Sequence, residues 1–177
     1  MRKTNEWYTP ARYVEAVRNV LGVIDLDPAS CSLANEVVRA TRFYTKEENA
    51  LLQQWPGRCF LNPPYGRTAT KESLVNLFVR KLLQEYEAGR TTEAILLVPV
   101  NTATGWFVPL WQFPICFPRK RIRFYSEHGP SDGASFPTCF VYMGAREEQF
   151  IEVFRKFGPF AAGLANVHQC EQLELFV

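Results

Sequence analysis

Asn62-Pro63-Pro64-Tyr65, entered through the apolar Cys59-Phe60-Leu61 and left through Gly66, is the stretch of this chain best suited to chemistry. Neither proline has an N–H to donate, and Pro63 drives Asn62 into an extended conformation. A short apolar strand therefore ends here in a rigid corner. The corner presents an amide side chain, a main-chain carbonyl without a helical partner and an aromatic face. The Asn62 amide oxygen and the Pro63 carbonyl are two neighbouring acceptors, enough to hold both hydrogens of an exocyclic amino group. Tyr65 beside them can stack on a planar ring. The chemistry to expect is electrophilic transfer onto the nitrogen of a flat amine.

Three further stretches carry chemistry-bearing residues. Val23-Ile24-Asp25-Leu26-Asp27-Pro28-Ala29-Ser30 alternates apolar and acidic residues and stops at a proline. An acid at the end of a strand in a βαβ unit is placed to accept from ribose hydroxyls, and the alternative is an acid that caps the next helix. Two acids at one strand end, upstream of the proline corner, favour the ligand reading. In Arg119-Lys120-Arg121-Ile122-Arg123-Phe124-Tyr125, basic and apolar residues alternate from Arg121 to Phe124, which puts the arginines on one face of a strand. Such a face either meets phosphates or protects a solvated edge. With a net charge of only +2, four basic residues in five positions favour phosphate. Finally, Trp7-Tyr8 precedes Thr9-Pro10, a good cap and a good first helical residue. The two aromatics either staple that helix to the core or stack on a cofactor.

The elements that must position these residues follow from periodicity. Tyr13, Val14, Val17, Val20 and Leu21 form a helical stripe with Gly22 placed to end it. Ser30 or Ser32 caps a short helix through about Ala40. Thr41 to Arg58 reads as a connector with little regular structure, Cys59 to Leu61 as a strand, and Lys71 to Ala88 as the longest helix, ended by Gly89. Between them, 66–73 is a polar loop at the ligand edge. Glu93 to Val100 is a continuous apolar run suited to a buried parallel strand. A short helix or turn around Trp106, Phe107 and Trp111 follows. Phe136 to Met143 is a strand expected to pair with 121–125, Glu147 to Phe157 a helix, and Phe160 to Val167 a last apolar segment. This alternation predicts a Rossmann-like α/β fold: a mostly parallel sheet, helices on both faces, an antiparallel C-terminal edge.

Bulk properties narrow the class. The 177 residues suit one domain over residues 1–177 with a single core. Near-neutral charge excludes a histone-like binder while allowing a basic patch. The five cysteines form no C-x-x-C, and with only His128 and His168 beside them no metal is expected. Cys59 and Cys139 sit in apolar runs and read as buried thiols. No signal peptide or membrane-spanning run is visible, so a reduced, cytoplasmic setting without membrane contact is expected.

On Asn62-Pro63-Pro64-Tyr65 the chain resembles the amino-methylating S-adenosylmethionine-dependent methyltransferases. The likeness extends through Trp7-Tyr8-Thr9-Pro10, Asp25-Leu26-Asp27-Pro28-Ala29-Ser30, Trp55, Leu96-Leu97-Val98-Pro99-Val100-Asn101-Thr102, and Arg121-Ile122-Arg123-Phe124 with Ser135-Phe136-Pro137. In that order and spacing it resembles the phage-type DNA N6-adenine methyltransferases, often called Dam-like, within the class I methyltransferase fold. The resemblance implies methyl transfer from S-adenosylmethionine to adenine N6 in DNA, on a base flipped from the duplex. It implies that Asn62 and the Pro63 carbonyl accept from N6, that Pro64 shapes the corner, and that Tyr65 stacks on adenine. It implies a cofactor bordered by Trp7, Tyr8, Thr9, Pro10, Asp25, Asp27, Pro28 and Asn62. It also implies a phage or prophage protein acting in a bacterial host, with or without a restriction partner. A monomer is the working expectation.

Two features depart from that pattern. Most class I methyltransferases carry a glycine-rich loop after the first strand, and no G-x-G occurs in this chain. Asp25 to Ala29 aligns either with that first motif, its glycines lost, or with the second-strand acid that holds the ribose; the second alignment shortens the sheet by one strand and favours Asp27. No separate target-recognition domain is evident, leaving Arg67 in the 66–73 loop, the segment Arg119, Lys120, Arg121 and Arg123, and the 126–135 loop to meet DNA. Rival readings are methylation of cytosine N4, RNA adenine or protein glutamine, and a silent DNA-binding module on the same scaffold.

Overall fold

The computed structural model describes residues 7–126, 129–130 and 136–162. The first apolar stripe becomes helix α1 (Ala11–Leu21), whose Tyr13, Val14, Ala16, Val17, Val20 and Leu21 are buried. Gly22, at φ 78°, donates its N–H to the Arg18 carbonyl and stops it. Thr9 does not cap this helix. Pro10 holds the cap position, and no side chain accepts from the first turn.

The chain then runs through β1 (Leu26–Asp27), α2 (Ser32–Val38), β2 (Arg42–Phe43), a 3-10 turn (Ala50–Leu52), β3 (Gly57–Leu61), α3 (Leu74–Glu87) and β4 (Thr91–Pro99). A second 3-10 turn (Val108–Gln112) leads to β5 (Ile115–Cys116), β6 (Tyr125–Ser126), β7 (Gly129–Pro130), β8 (Thr138–Met143), α4 (Glu147–Phe154) and β9 (Phe160–Ala161). The cap of α2 is Cys31, whose sulfur accepts from the Ala34 N–H, rather than Ser30 or Ser32. Ser73 caps α3, so residues 71–73 belong to the preceding loop. The helix expected to reach Phe157 ends at Phe154, and the last apolar segment is described only to residue 162.

Seven strands form one sheet in the order β2-β1-β3-β4-β8-β5-β9. β2, β1, β3 and β4 are mutually parallel, β8 is antiparallel to both β4 and β5, and β9 is antiparallel to β5. This is the Rossmann-like layout, with its antiparallel strands on the C-terminal side. Parity along the central strands divides the core. Phe60, Ile95, Leu97, Phe140 and Tyr142 meet α1 and α4 on one face. Cys59, Leu61, Ala94, Leu96, Val98 and Val141 meet α3, Trp55 and Phe107 on the other. Both faces of β4 and β8 are buried, which is why these strands read as continuous apolar runs.

Two pairings differ from the sequence expectation. The connector from Thr41 to Arg58 contains β2, a strand of two residues that is too short to leave a periodic signal. And β8 does not pair with 121–125. All six of its residues are buried, so it fits between β4 and β5, whereas the exposed Arg121 and Arg123 keep their segment at the periphery. There Tyr125 pairs with Tyr8, in both directions at 2.8 and 3.0 Å.

Candidate active site at the C-terminal edge of the sheet

From β1 the chain moves outward to β2, then returns past β1 to β3 on its other side. The crevice outside the C-terminal ends of β1 and β3 is therefore the topological switch point, the place where open α/β sheets bind ligands. Asp27 is the last residue of β1, and Asn62 directly follows β3. Because these strands are neighbours, Asp27-Pro28-Ala29 and Asn62-Pro63-Pro64-Tyr65 lie side by side. The strand carrying Asp27 lies inside β2 and directly beside β3, the strand that ends in the proline corner. Pro28-Ala29-Ser30-Cys31 forms the turn from β1 to α2 at this end of the sheet.

Asn62 is held by the segment before α1. Its Nδ2 donates to the Trp7 carbonyl at 2.8 Å and to Thr9 Oγ1 at 3.3 Å. Its Oδ1 meets the Tyr65 hydroxyl at 3.5 Å, a long contact that leaves acceptor capacity. Pro63 lies outside every helix and strand, so its carbonyl has no ladder partner. The Tyr65 ring leans on Phe136, with centroids 5.2 Å apart, and burial pushes its phenol pKa upward. Phe136 reaches this edge because antiparallel β8 begins here, with Thr138 opposite Pro99.

Asp27 is 3% exposed. Burial pushes its carboxyl up to about 7, against the opposing pull of the Ala29 N–H at 3.1 Å and of the nearby Ser30 hydroxyl. The Ser30 Oγ is itself buried without a well-formed hydrogen bond. An ionisable acid and a hydroxyl left short of partners fit a ligand that brings polar hydrogens of its own.

Asp25 sits elsewhere. It precedes β1, at the opposite edge, and accepts from Arg58 through the main-chain N–H (2.8 Å), Nε (2.9 Å) and Nη2 (3.3 Å). These bonds hold its carboxyl below the usual range. Gly57 at φ 79° admits this contact, since a Cβ there would stand 2.8 Å from Asp25 Oδ2. Asp25 is therefore spent on an ion pair and is not brought to the crevice.

The aromatic pair before α1 divides its roles. Trp7 packs on the core, edge-on to Phe124 at 6.1 Å, while the Tyr8 hydroxyl meets the Cys31 sulfur at 3.6 Å. Arg119, Lys120, Arg121 and Arg123 are exposed, and Ile122 and Phe124 are buried, so the alternation holds although 121–124 is not a strand. Arg67 is exposed and donates to the Lys71 carbonyl at 2.8 Å, closing its own loop. Of the 126–135 loop, residues 127–128 and 131–135 lie outside the described residues, as do His168 and Cys170. Cys59 and Cys139 are buried, and burial pushes their thiols upward. Among the described residues no cluster of His, Cys, Asp or Glu could hold a metal, and no helix is long and apolar enough to cross a membrane.

Sequence reasoning missed Ser30, Cys31 and Phe136 as parts of the site. Phe136 had a signal, being inside Ser135-Phe136-Pro137. Cys31 had none, because cysteine is an uncommon cap.

A family model described as DNA N-6-adenine-methyltransferase (Dam) matches residues 1–135, well over half of the chain. No curated protein matches it.

Proposed function

The chain belongs to the DNA N-6-adenine-methyltransferase (Dam) family, and from that premise we propose that it methylates adenine N6 in DNA using S-adenosylmethionine, with Asn62, Pro63 and Tyr65 holding the target base. The observation that carries this reading is the switch point between β1 and β3, where a buried acid and a two-acceptor corner share one crevice.

The residues act as follows. Asn62 Oδ1 and the Pro63 carbonyl accept the two N6 hydrogens, which localises the lone pair on nitrogen and directs it out of the ring plane. Tyr65, backed by Phe136, stacks on the adenine ring and fixes its height. Pro63 and Pro64 keep the corner rigid, so alignment is built in before the base arrives. Asp27 and the Ser30 hydroxyl accept polar hydrogens of the cofactor, with Pro28, Pro10, Trp7 and Tyr8 bordering it, while the Thr9 hydroxyl is committed to Asn62. S-adenosylmethionine supplies, when bound, an electrophilic methyl on a sulfonium. Arg119, Lys120, Arg121, Arg123 and Arg67 meet DNA phosphates, and residues 1–177 act as one domain, a monomer in the cytoplasm of a bacterial host.

Asn62→Ala tests the reading. Methyl transfer from labelled cofactor to DNA should fall at least about a hundredfold, with folding and cofactor affinity kept, since one preorganised polar contact at a reacting centre contributes that much. Retained activity would remove Asn62 from the mechanism. Mass analysis of the digested product separates N6-methyladenine from N4-methylcytosine, methylated RNA and methylated glutamine. A silent module is disfavoured by Asp27, because a buried carboxyl without a cation is a liability unless a ligand uses it.

A further inference from the structure

The three residues Trp7-Tyr8-Thr9 cross the crevice as a strap, and every one of them is tied down. Trp7 and Thr9 face Asn62, through a main-chain carbonyl at 2.8 Å and a hydroxyl at 3.3 Å. Tyr8 pairs with Tyr125 through both its N–H and its carbonyl, and its hydroxyl meets Cys31. Thr9 is 6% exposed, and its hydroxyl is not used to cap α1. Thr9 stands one residue before the cap position held by Pro10, and its hydroxyl accepts from Asn62 Nδ2 instead.

A carboxamide has one donor end and one acceptor end, and its two orientations have nearly the same shape. A carbonyl oxygen can only accept. The Trp7 carbonyl therefore requires the nitrogen end of Asn62 beside it, and Thr9 Oγ1 gives the second Nδ2 hydrogen a partner. The flipped amide would set Oδ1 against the Trp7 oxygen and turn two N–H groups toward the crevice. There they would oppose the hydrogens of any amine and welcome a carbonyl instead.

We propose that the Trp7–Thr9 strap is the positioning element that holds the Asn62 acceptor toward the substrate, with the Thr9 hydroxyl as its replaceable part. This rests on the reading of Asn62 as the amine acceptor. The strap thereby selects for an exocyclic amine over a ring carbonyl at the same position, because a site built of acceptors rejects a group without hydrogens to give. Trp7 contributes through its backbone, so the sequence signature lies in Thr9 alone. Thr9 is a positioning residue that acts through Asn62.

Thr9→Val keeps the side-chain shape and removes the hydroxyl, and Thr9→Ser restores it. The experiment combines steady-state DNA methylation, calorimetric titration of cofactor, and the side-chain amide signals of protein carrying 15N-asparagine, with Asn62 assigned by their loss in Asn62→Ala. Thr9→Val should shift the Asn62 amide pair and lower kcat about three- to tenfold, the effect of one net hydrogen bond. KM for DNA and the cofactor Kd should stay within about twofold of the wild-type values, and Thr9→Ser should recover both signal and rate. Unchanged Asn62 signals would overturn the proposal. So would a weaker cofactor Kd with kcat preserved at saturation, which makes Thr9 a cofactor contact. If the wild-type protein methylates no nucleic acid, the proposed function falls, while the amide signals still decide whether the strap orients Asn62.

Discussion

Asp25 and Asp27 are separated by a single residue, yet they stand at opposite edges of the sheet in opposite electrostatic settings. Asp25 is about one-third exposed and receives three N–H groups from Arg58. The same edge joins Glu93 to Arg146 and Tyr142, and both arginines also donate to the Leu21 carbonyl at the end of α1. Acids there are matched to cations, and the network ties α1, β3, β4 and the turn before α4 together. At the other edge Asp27 is buried without a cation, Ser30 Oγ lacks a well-formed partner, and Asn62 Oδ1 has only a long contact. One edge is satisfied from within the fold. The other is left short of donors, which suits it to a ligand that brings polar hydrogens of its own.

The sharpest way to break this contrast is Asp27→Asn. A folded-state pKa near 7 against 3.8 unfolded means that ionisation opposes folding, so this group's contribution is most favourable below about pH 4 and is lost as pH rises to about 7. At pH 8 the cost amounts to at most about 4 kcal/mol, from roughly three units at 1.36 kcal/mol each. The neutral variant, which still accepts from the Ala29 N–H and can donate to Ser30 Oγ, should gain about 2–4 kcal/mol in chemical denaturation at pH 8 and little at pH 4. Its cofactor affinity should fall at least about tenfold. In the wild type, cofactor affinity should rise with pH up to about 7 and then level off, because bound hydrogen-bond donors favour the carboxylate. A variant that loses stability at pH 8 would show Asp27 to be a structural acid like Asp25.

Gly57→Ala attacks the satisfied edge. At φ 79°, with Asp25 2.8 Å from the added methyl, it should cost about 2–3 kcal/mol in denaturant unfolding and leave cofactor affinity unchanged. Coupled loss of stability and affinity would mean that the two edges are not independent.

Positive charge divides the same way: Arg58 and Arg146 are bound inward, whereas Arg123 is exposed beside Tyr125. Arg123→Ala should weaken DNA binding about three- to tenfold and lower the salt slope by about one, read from fluorescence anisotropy at several salt concentrations. An unchanged slope would mark the segment as a solvated edge.

The smallest effect belongs to Asp25→Asn. Arg58 lowers the Asp25 pKa, so its stabilisation is present above about pH 4 and is lost on acidification. Exposure and screening reduce it to about 1 kcal/mol. Melting at pH 7 should drop by a few degrees, with cofactor affinity intact.

Much of this was legible in the chain. The corner at Asn62 follows from two prolines, the stop of α1 from Gly22, and the burial of β4 from its unbroken apolar run, all of them local stereochemistry or burial pattern. The Arg121/Arg123 alternation was legible too, although it lies on an irregular segment rather than a strand. The partner of that segment was not: Tyr8 and Tyr125 are distant in sequence, and a two-residue pairing leaves no periodic trace. Cys31 was likewise missed as a cap, because propensity favours the serines on either side of it.

What the sequence by itself determined is therefore the inventory: a strand ended by a rigid two-acceptor corner, an acid-bearing strand, a basic alternating segment and helices to cover a parallel sheet. Each rests on interactions within a few residues, where backbone sterics and side-chain period act. Only the tertiary structure decided which acid is buried without a cation. Asp25 and Asp27 have the same chemistry and nearly the same local sequence; what separates them is Arg58, 33 residues away, which reaches the acid before β1, while Asp27 ends that strand at the crevice beside β3. Thr9 likewise changes from cap to Asn62 partner only across 53 residues. A charge or a hydrogen bond is fixed by what lies within a few ångströms, and in a folded chain that neighbourhood is set by topology.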